Sequence, residues 1–267
     1  MTQDTFIVTV PPQQLRTVQG WNATPAHLAY RVGRGPHLFR AGGPTALRGG
    51  LMVVGDRGFD GMGAVGPFCQ EVVRECQARS FSGVILDFEG RLPPLEQMAA
   101  RLDEALTRQN LALYVPEGYG SFAPRARVMI SSALSGGSLR RRLEEAQERF
   151  GRDRVALALE RTAEDFFLPS PTGSGAPLNK GELERLMERL RPSIFFSNEL
   201  CARYFTYMSK ETGAHFVLFD DGETLRRKME VARRLGIRVF LAPWAQVEEY
   251  AALLGLSRGQ GAVRAAL

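Results

Sequence analysis

The stretch SGVILDFEG, residues 82–90, is a short apolar run that ends in two acids. The run from Gly83 to Leu86 is typical of a parallel strand that is covered on both faces. Asp87 and Glu89 are two residues apart, so in an extended strand both side chains point to the same side. The stretch therefore predicts a buried parallel strand whose carboxyl end carries a pair of carboxylates.

Apolar runs of this kind alternate with amphipathic helical stretches along most of the 267-residue chain. Such an alternation predicts parallel strands separated by helices, and the number of strands favours one closed (β/α)8 TIM-type barrel over residues 1–267. We prefer the barrel to an open doubly wound sheet because no G-x-G-x-x-G sequence follows the first strand. The predicted strands are residues 51–55, 83–89, 111–115, 128–130, 155–160, 193–196, 215–219 and 237–242, and the predicted helices are residues 67–79, 94–109, 139–150, 181–190, 223–235 and 247–254.

The first 50 residues fit the barrel pattern less regularly. Residues 6–10 and residues 28–32 are both apolar enough to be its opening strand. A long loop is predicted through residues 169–175, which are rich in Pro, Ser and Gly. We find no linker that would divide the chain into two domains.

The charge pattern does not predict a nucleic-acid partner. The formal net charge is +5, with 31 arginines and three lysines, but the arginines are scattered among acids, as in residues 140–145. Such runs are typical of solvated helix faces, whereas a nucleic-acid groove needs clustered charge with aromatic residues between.

The cysteines and histidines predict neither a metal site nor a cofactor. Cys69 and Cys76 are seven residues apart on a predicted helix, which indicates two core-facing thiols, and the odd count of three cysteines suggests a reducing compartment. His27, His37 and His215 have no ligand spacing. The chain shows no signal peptide and no apolar run long enough to span a membrane, so we expect a soluble protein made in the cytoplasm.

The acid pair has a chemical interpretation and a structural one. The carboxyl ends of barrel strands form the face where catalysis occurs. Two carboxylates this close cannot both ionise freely, so one can stay protonated while Asp87 or Glu89 is charged, as hydrolysis of a glycosidic bond requires. The structural interpretation, in which the acids cap a helix or pair with arginines, stays open.

Residues 81–89 resemble the D-G-x-D-x-D-x-E signature strand of the family 18 glycoside hydrolases. Gly83, Asp87, Phe88 and Glu89 match the glycine, the last aspartate, the aromatic residue and the catalytic glutamate of that pattern. Residues 215–244 also resemble the end of family 18 domains of the spore-germination type, so the resemblance covers residues 50–255.

The resemblance implies a barrel that binds an oligosaccharide or glycan strand containing N-acetylglucosamine, such as peptidoglycan or chitin. Glu89 would be the general acid, and Asp87 would help to orient the N-acetyl group of the substrate, whose oxygen is the nucleophile in this family. Trp244 would form the floor under the sugar; alternatively, it is a core residue that closes the barrel. A spore-associated protein is also implied.

Departures from the family pattern leave open whether activity is weak, altered or lost. Ser82 and Ile85 stand where the family has its two earlier aspartates, and residues 129–132, MISS, stand where it has a Tyr-Asp pair. The residues that could substitute, or else be ordinary loop residues, are Glu117, Tyr119, Glu160 and Asn198.

Two other functions stay open. The barrel could bind glycan, or serve as a structural part of a spore, without catalysing turnover. Alternatively, residues 135–138, SGGS, precede a predicted helix and three arginines, an arrangement in which free backbone N–H groups could bind the phosphate of a phosphorylated substrate. The same four residues could be only a tight turn and a helix cap.

Overall fold

The computed structural model describes residues 4–41, 47–170 and 173–259. Its strands are β1 (Thr5–Val10), β2 (Thr24–Val32), β3 (Leu38–Arg40), β4 (Leu51–Gly55), β5 (Gly83–Asp87), β6 (Ala112–Pro116), β7 (Arg127–Ser131), β8 (Val155–Ala158), β9 (Ala163–Leu168), β10 (Ala176–Pro177), β11 (Phe195–Ser197), β12 (Ala202–Ser209), β13 (Gly213–Phe219) and β14 (Val239–Pro243). Its helices are α1 (Leu15–Val18), α2 (Val65–Arg79), α3 (Pro93–Arg108), α4 (Leu139–Phe150), α5 (Lys180–Leu190), α6 (Gly222–Arg234) and α7 (Trp244–Val247).

Eight parallel strands close into a barrel in the order β1, β2, β4, β5, β6, β7, β8 and β14. The barrel closes because β1 pairs in parallel with β2 on one side and with β14 on the other. The predicted (β/α)8 barrel is therefore confirmed. The apolar runs at residues 6–10 and 28–32 both belong to it, in β1 and β2, and β3 adds an antiparallel strand to β2.

Side chains alternate between the barrel interior and the layer of helices. In β5, Ile85 packs in the interior, whereas Val84 and Leu86 pack outward in the core that includes the helices. This alternation follows from the extended backbone, in which successive side chains point to opposite faces. Asp87 follows Ile85 by two residues, so its side chain points to the same side as the interior.

A second sheet lies between β8 and α6. It is antiparallel, in the order β10, β9, β13, β12 and β11, and its clustered apolar side chains include Leu183 of α5 with Phe205 and Val217. Residues 193–196 and 215–219, predicted as barrel strands, lie in this sheet as β11 and β13, so those two assignments are wrong. Residues 163–168, which were given no strand, form β9, and Pro171 and Thr172 of the predicted loop lie outside the described residues.

A buried ion pair joins the end of the second sheet to α6. Lys228 and Asp220 have side chains that are 1% and 0% exposed, and Lys228 Nζ lies 2.7 Å from Asp220 Oδ2. Asp220 also accepts hydrogen bonds from the backbone N–H of Thr162 at 2.8 Å and from the hydroxyl of Thr224 at 2.8 Å. The carboxylate thus ties the first and last segments of the sheet to a helix of the barrel.

Candidate functional site

A cavity of about 530 Å³ opens at the carboxyl ends of the barrel strands. This is the face of a β/α barrel that carries active sites, and the volume is in the range of ligand pockets. The lining residues that carry charge or a hydroxyl group are Thr9, Asp87, Arg91, Glu117, Ser131, Arg142 and Glu160.

Asp87 ends β5 at the mouth of the barrel and lines this cavity. Desolvation raises the pKa of its carboxyl, and the negative charges of Glu89, Asp56 and Glu160 raise it further. Asp87 therefore holds a proton to a higher pH than an ordinary aspartate does.

Glu89 lies two residues beyond the end of β5 and is exposed. Its backbone N–H donates to Asp56 Oδ1 at 3.1 Å, and the N–H of Gly90 donates to Asp56 Oδ2 at 2.8 Å. Asp56 directly follows β4, so it fixes the loop that presents Glu89. The sequence prediction missed Asp56, although an acid immediately after the apolar run at residues 51–55 was a usable signal.

Tyr119 supports the same loop from the side of β6. Its hydroxyl donates to the carbonyl of Gly90 at 2.5 Å, and its ring packs edge to face on Phe88 with centroids 5.6 Å apart. Burial raises the pKa of its phenol to about 12. Tyr119 is buried and does not line the cavity, so its part in the site is to position the loop.

Glu117 and Glu160 both line the cavity, each with a partner. Glu117 Oε2 lies 2.6 Å from Nη2 of Arg142 in α4. Glu160 Oε2 accepts a hydrogen bond of 2.7 Å from the hydroxyl of Ser131, and Ser131 belongs to the MISS segment at residues 129–132. The structure thus brings Asp87, Glu117 and Glu160 to one cavity.

Trp244 and Asn198 lie away from the cavity wall. Trp244 is 1% exposed, and its indole packs on Trp21 with ring centroids 5.6 Å apart. Asn198 is exposed in the turn between β11 and β12 of the second sheet. In this structure Trp244 is a core residue, and we leave both residues out of the proposed site.

The SGGS segment at residues 135–138 precedes α4, as expected, with Ser138 at the N-cap position. The Ser138 side chain makes no capping hydrogen bond. The first backbone N–H of the helix, at Leu139, donates instead to the carbonyl of Glu199 at 2.9 Å. The second sheet therefore occupies one of the donors that a phosphate would need.

Within residues 4–41, 47–170 and 173–259, no group of three or more His, Cys, Asp or Glu side chains is arranged to hold a metal ion. None of the helices described is both long enough and apolar enough to cross a membrane. The thiols of Cys69 and Cys76 are free and buried in α2.

Comparison with solved structures gives a distant family 18-like fold. The chitinase from Chromobacterium violaceum matches with a TM-score of 0.68 at 14% identity, over 94% of this chain and 98% of that one. The spore cortex-lytic enzyme SleL of Bacillus megaterium matches with a TM-score of 0.63 at 15% identity, over 90% of this chain and 70% of that one. A glycoside hydrolase family 18 N-acetylglucosaminidase from Paenibacillus barengoltzii matches with a TM-score of 0.66 at 14% identity, over 95% and 98%.

The comparisons by sequence add nothing to this. No protein-family model matches the chain, and no curated protein matches it. The structure comparisons thus confirm the predicted resemblance to family 18 as a likeness of fold.

Proposed function

We propose that the chain binds a glycan containing N-acetylglucosamine in the barrel cavity, with Glu89 as general acid and Asp87 as its partner. The observation that carries the proposal is the position of the acids: Asp87 and Glu160 line one cavity at the carboxyl ends of the barrel strands, and Glu89 follows Asp87 in a fixed loop. The structural neighbours named as chitinase and N-acetylglucosaminidase support this substrate class.

In the proposed reaction the substrate supplies its own nucleophile. The acetamido oxygen attacks the anomeric carbon and forms a cyclic oxazolinium ion, while the glycosidic bond breaks and Glu89 gives its proton to the leaving oxygen. Water, which loses a proton to Glu89, then attacks the anomeric carbon and opens the oxazolinium ring, which restores the acetamido group. Asp87, whose raised pKa favours its protonated form, orients the acetamido group. Glu89 is exposed and is not among the residues that line the cavity, so the proposal requires its side chain to turn toward the sugar when glycan is bound.

Binding without turnover is the second candidate function. Ile85 and Met129 line the cavity with apolar surface at positions where the family pattern has polar, catalytic side chains. Asp87 and Glu160 would then be left on the cavity wall to relay a proton, which favours binding without cleavage. A pocket that binds sugar without cleaving it would keep the same overall shape.

The experiment incubates the purified protein with peptidoglycan fragments and with N-acetylglucosamine oligomers, following product release and binding. Glu89→Gln keeps the shape of the side chain and removes its proton, so we expect binding to persist and cleavage to fall by at least about 100-fold. Glu145→Gln, a change at an exposed acid on α4, is the matched control and should match the parent.

Each result selects one of the candidates. Cleavage that Glu89→Gln abolishes supports the hydrolase, and binding with no cleavage by the parent supports the binding protein. If the parent neither binds nor cleaves any of these glycans, the carbohydrate proposal is wrong.

We extend the proposal to a role in the spore, because the neighbours include a spore cortex-lytic enzyme and a sporulation-specific glycosylase. Cortex fragments should then be better substrates than chitin fragments of the same length. The assay above tests this by direct comparison of the two.

A further inference from the structure

Arg91 is the feature of the cavity that the proposed chemistry does not use. It lies in the segment between β5 and α3, is exposed, and lines the cavity together with Asp87 and Glu117. No carboxylate among the residues described lies within ion-pairing distance of its guanidinium group. Arg142, the other arginine on the cavity wall, differs because it is paired with Glu117 at 2.6 Å.

Arg91 contacts the ring of Tyr119 and the backbone at Gly118. Its guanidinium carbon lies 5.7 Å from the centroid of the Tyr119 ring, within the range of a cation–π contact. A Cβ atom at position 118 would lie 1.8 Å from Nη1 of Arg91, so the guanidinium group occupies the space that the glycine leaves open. The exposed cation thus lies against Gly118 and the Tyr119 ring at the edge of the cavity.

An arginine that lines a ligand cavity and makes no ion pair there fits an anionic ligand. A guanidinium group carries a positive charge and binds carboxylates with two parallel hydrogen bonds. A neutral sugar hydroxyl would make a single hydrogen bond with it, whereas a carboxylate would also make an ion pair.

We propose that Arg91 is an anion subsite, and that it selects glycans carrying a carboxylate over neutral ones. This inference rests on the proposed function and names the substrate class more closely: an N-acetylated saccharide with an acidic substituent. The carboxylate could belong to the lactyl ether of a muramic acid residue or to a peptide attached to the glycan.

The test compares one disaccharide in three forms: with its carboxylate free, with that carboxylate neutralised as an ester, and with a peptide attached. Calorimetry measures the binding of a disaccharide of N-acetylglucosamine and N-acetylmuramic acid, of its carboxyl methyl ester, and of the same disaccharide carrying a stem peptide. We expect the parent protein to bind at least one carboxylate ligand about 10- to 100-fold more tightly than the ester, the range for one charge-assisted hydrogen-bonded pair.

The variants assign this preference to Arg91. Arg91→Gln should bring the ratio of acid to ester affinity close to one, and Arg91→Lys should keep part of it because a charge remains. Arg234→Gln, which changes an exposed arginine in the last turn of α6, is the control and should keep the ratio of the parent.

The outcomes separate this proposal from the one on which it rests. Preference for the free disaccharide assigns the anion to the lactyl group, and preference only for the peptide-bearing form assigns it to the peptide. Equal binding of all three ligands by the parent overturns the anion subsite while leaving glycan binding intact. Binding of none of the three, nor of neutral N-acetylglucosamine oligomers, overturns both.

Discussion

The barrel and the second sheet place their apolar side chains differently. Barrel strands such as β4 and β5 bury nearly continuous apolar runs between the interior and the helices. In the second sheet large side chains stay in contact with solvent, with Phe195 52% exposed and Met208 77% exposed. A parallel sheet must be covered on both faces, whereas an antiparallel sheet tolerates one wet face.

The two regions also differ in what they contribute to the candidate site. The cavity-lining residues that the structure describes come from the barrel strands and from the segments that follow them. The second sheet touches the barrel through the Asp220–Lys228 pair and through the Glu199 carbonyl at the start of α4. The barrel therefore carries the candidate site, and the sheet is an attachment whose stability can be tested separately.

The largest effect is expected at the attachment itself. Lys228→Met removes the cation and leaves the Asp220 carboxylate buried without a counter-charge, which costs about 3–5 kcal/mol. Urea unfolding of the purified variant measures the loss. The double variant with Asp220→Asn carries no buried charge and should recover more than half of that loss.

The control for this prediction is Lys210, an exposed lysine in the turn between β12 and β13. Lys210→Met should change the free energy of unfolding by less than about 0.5 kcal/mol. A loss of similar size at both lysines would show that the buried pair does not hold the sheet to the barrel.

Two leucines that are fully buried distinguish the regions directly. Leu218 lies in β13 and Leu102 in α3, and both are 0% exposed. Truncation of either to alanine should cost about 2–5 kcal/mol. Because the second sheet has only small apolar clusters, Leu218→Ala should accelerate amide hydrogen exchange in β9, β12 and β13 alone.

Leu102→Ala should accelerate exchange throughout the barrel strands. If both variants accelerated exchange everywhere, the chain would unfold as one cooperative unit and the comparison would fail.

A smaller effect is expected at the loop that carries Glu89. Asp56→Ala removes the acceptor for two backbone N–H groups, at Glu89 and Gly90, and should cost about 1–3 kcal/mol. Exchange at those two amides should rise before any change in β5. Asp60→Ala is the control, because Asp60 is an exposed acid whose carboxylate accepts from Met62 only.

The smallest effect is a pH dependence at Asp87. Its pKa is raised in the folded state, so the stability contributed by the protonated carboxyl is present below the ordinary value of about 4 and is lost as the pH rises through the raised pKa. Asp87→Asn keeps the neutral form at every pH. At pH 7 the variant should be more stable than the parent by less than about 1 kcal/mol, because Asp87 is solvent-accessible.

Unfolding in urea at a series of pH values between 3 and 8 measures this difference. A gap between Asp87→Asn and the parent that does not change over this range would show that the pKa of Asp87 is not raised.

Much of the barrel was predictable because its strands and helices carry the two periodicities that a sequence shows most clearly. Helix α4 was predicted with its observed ends, and β4 likewise. The second sheet was not predicted. Strand β12, ARYFTYMS, lacks the continuous apolar run that marks the barrel strands, and β13 is apolar enough to be taken for one of them. Nothing local in β13 tells which of two sheets it joins.

The candidate site divides in the same way. Asp87 and Glu89 stand in a recognisable motif, whereas Asp56 acts through backbone N–H groups of a loop 33 residues further along the chain. Arg91 acquires its significance only from what packs around it, Gly118 and Tyr119. These contacts join residues that are far apart in the sequence and come together only when the barrel closes, so the sequence alone does not predict them.

The contact between Trp21 and Trp244 has an optical consequence. These are the two tryptophans of the chain, and both lie where the segment after β1 meets the segment after β14. Indole fluorescence will therefore report the closure of the barrel and will be silent when the second sheet opens. One unlabelled sample thus carries a reporter that is specific for the barrel.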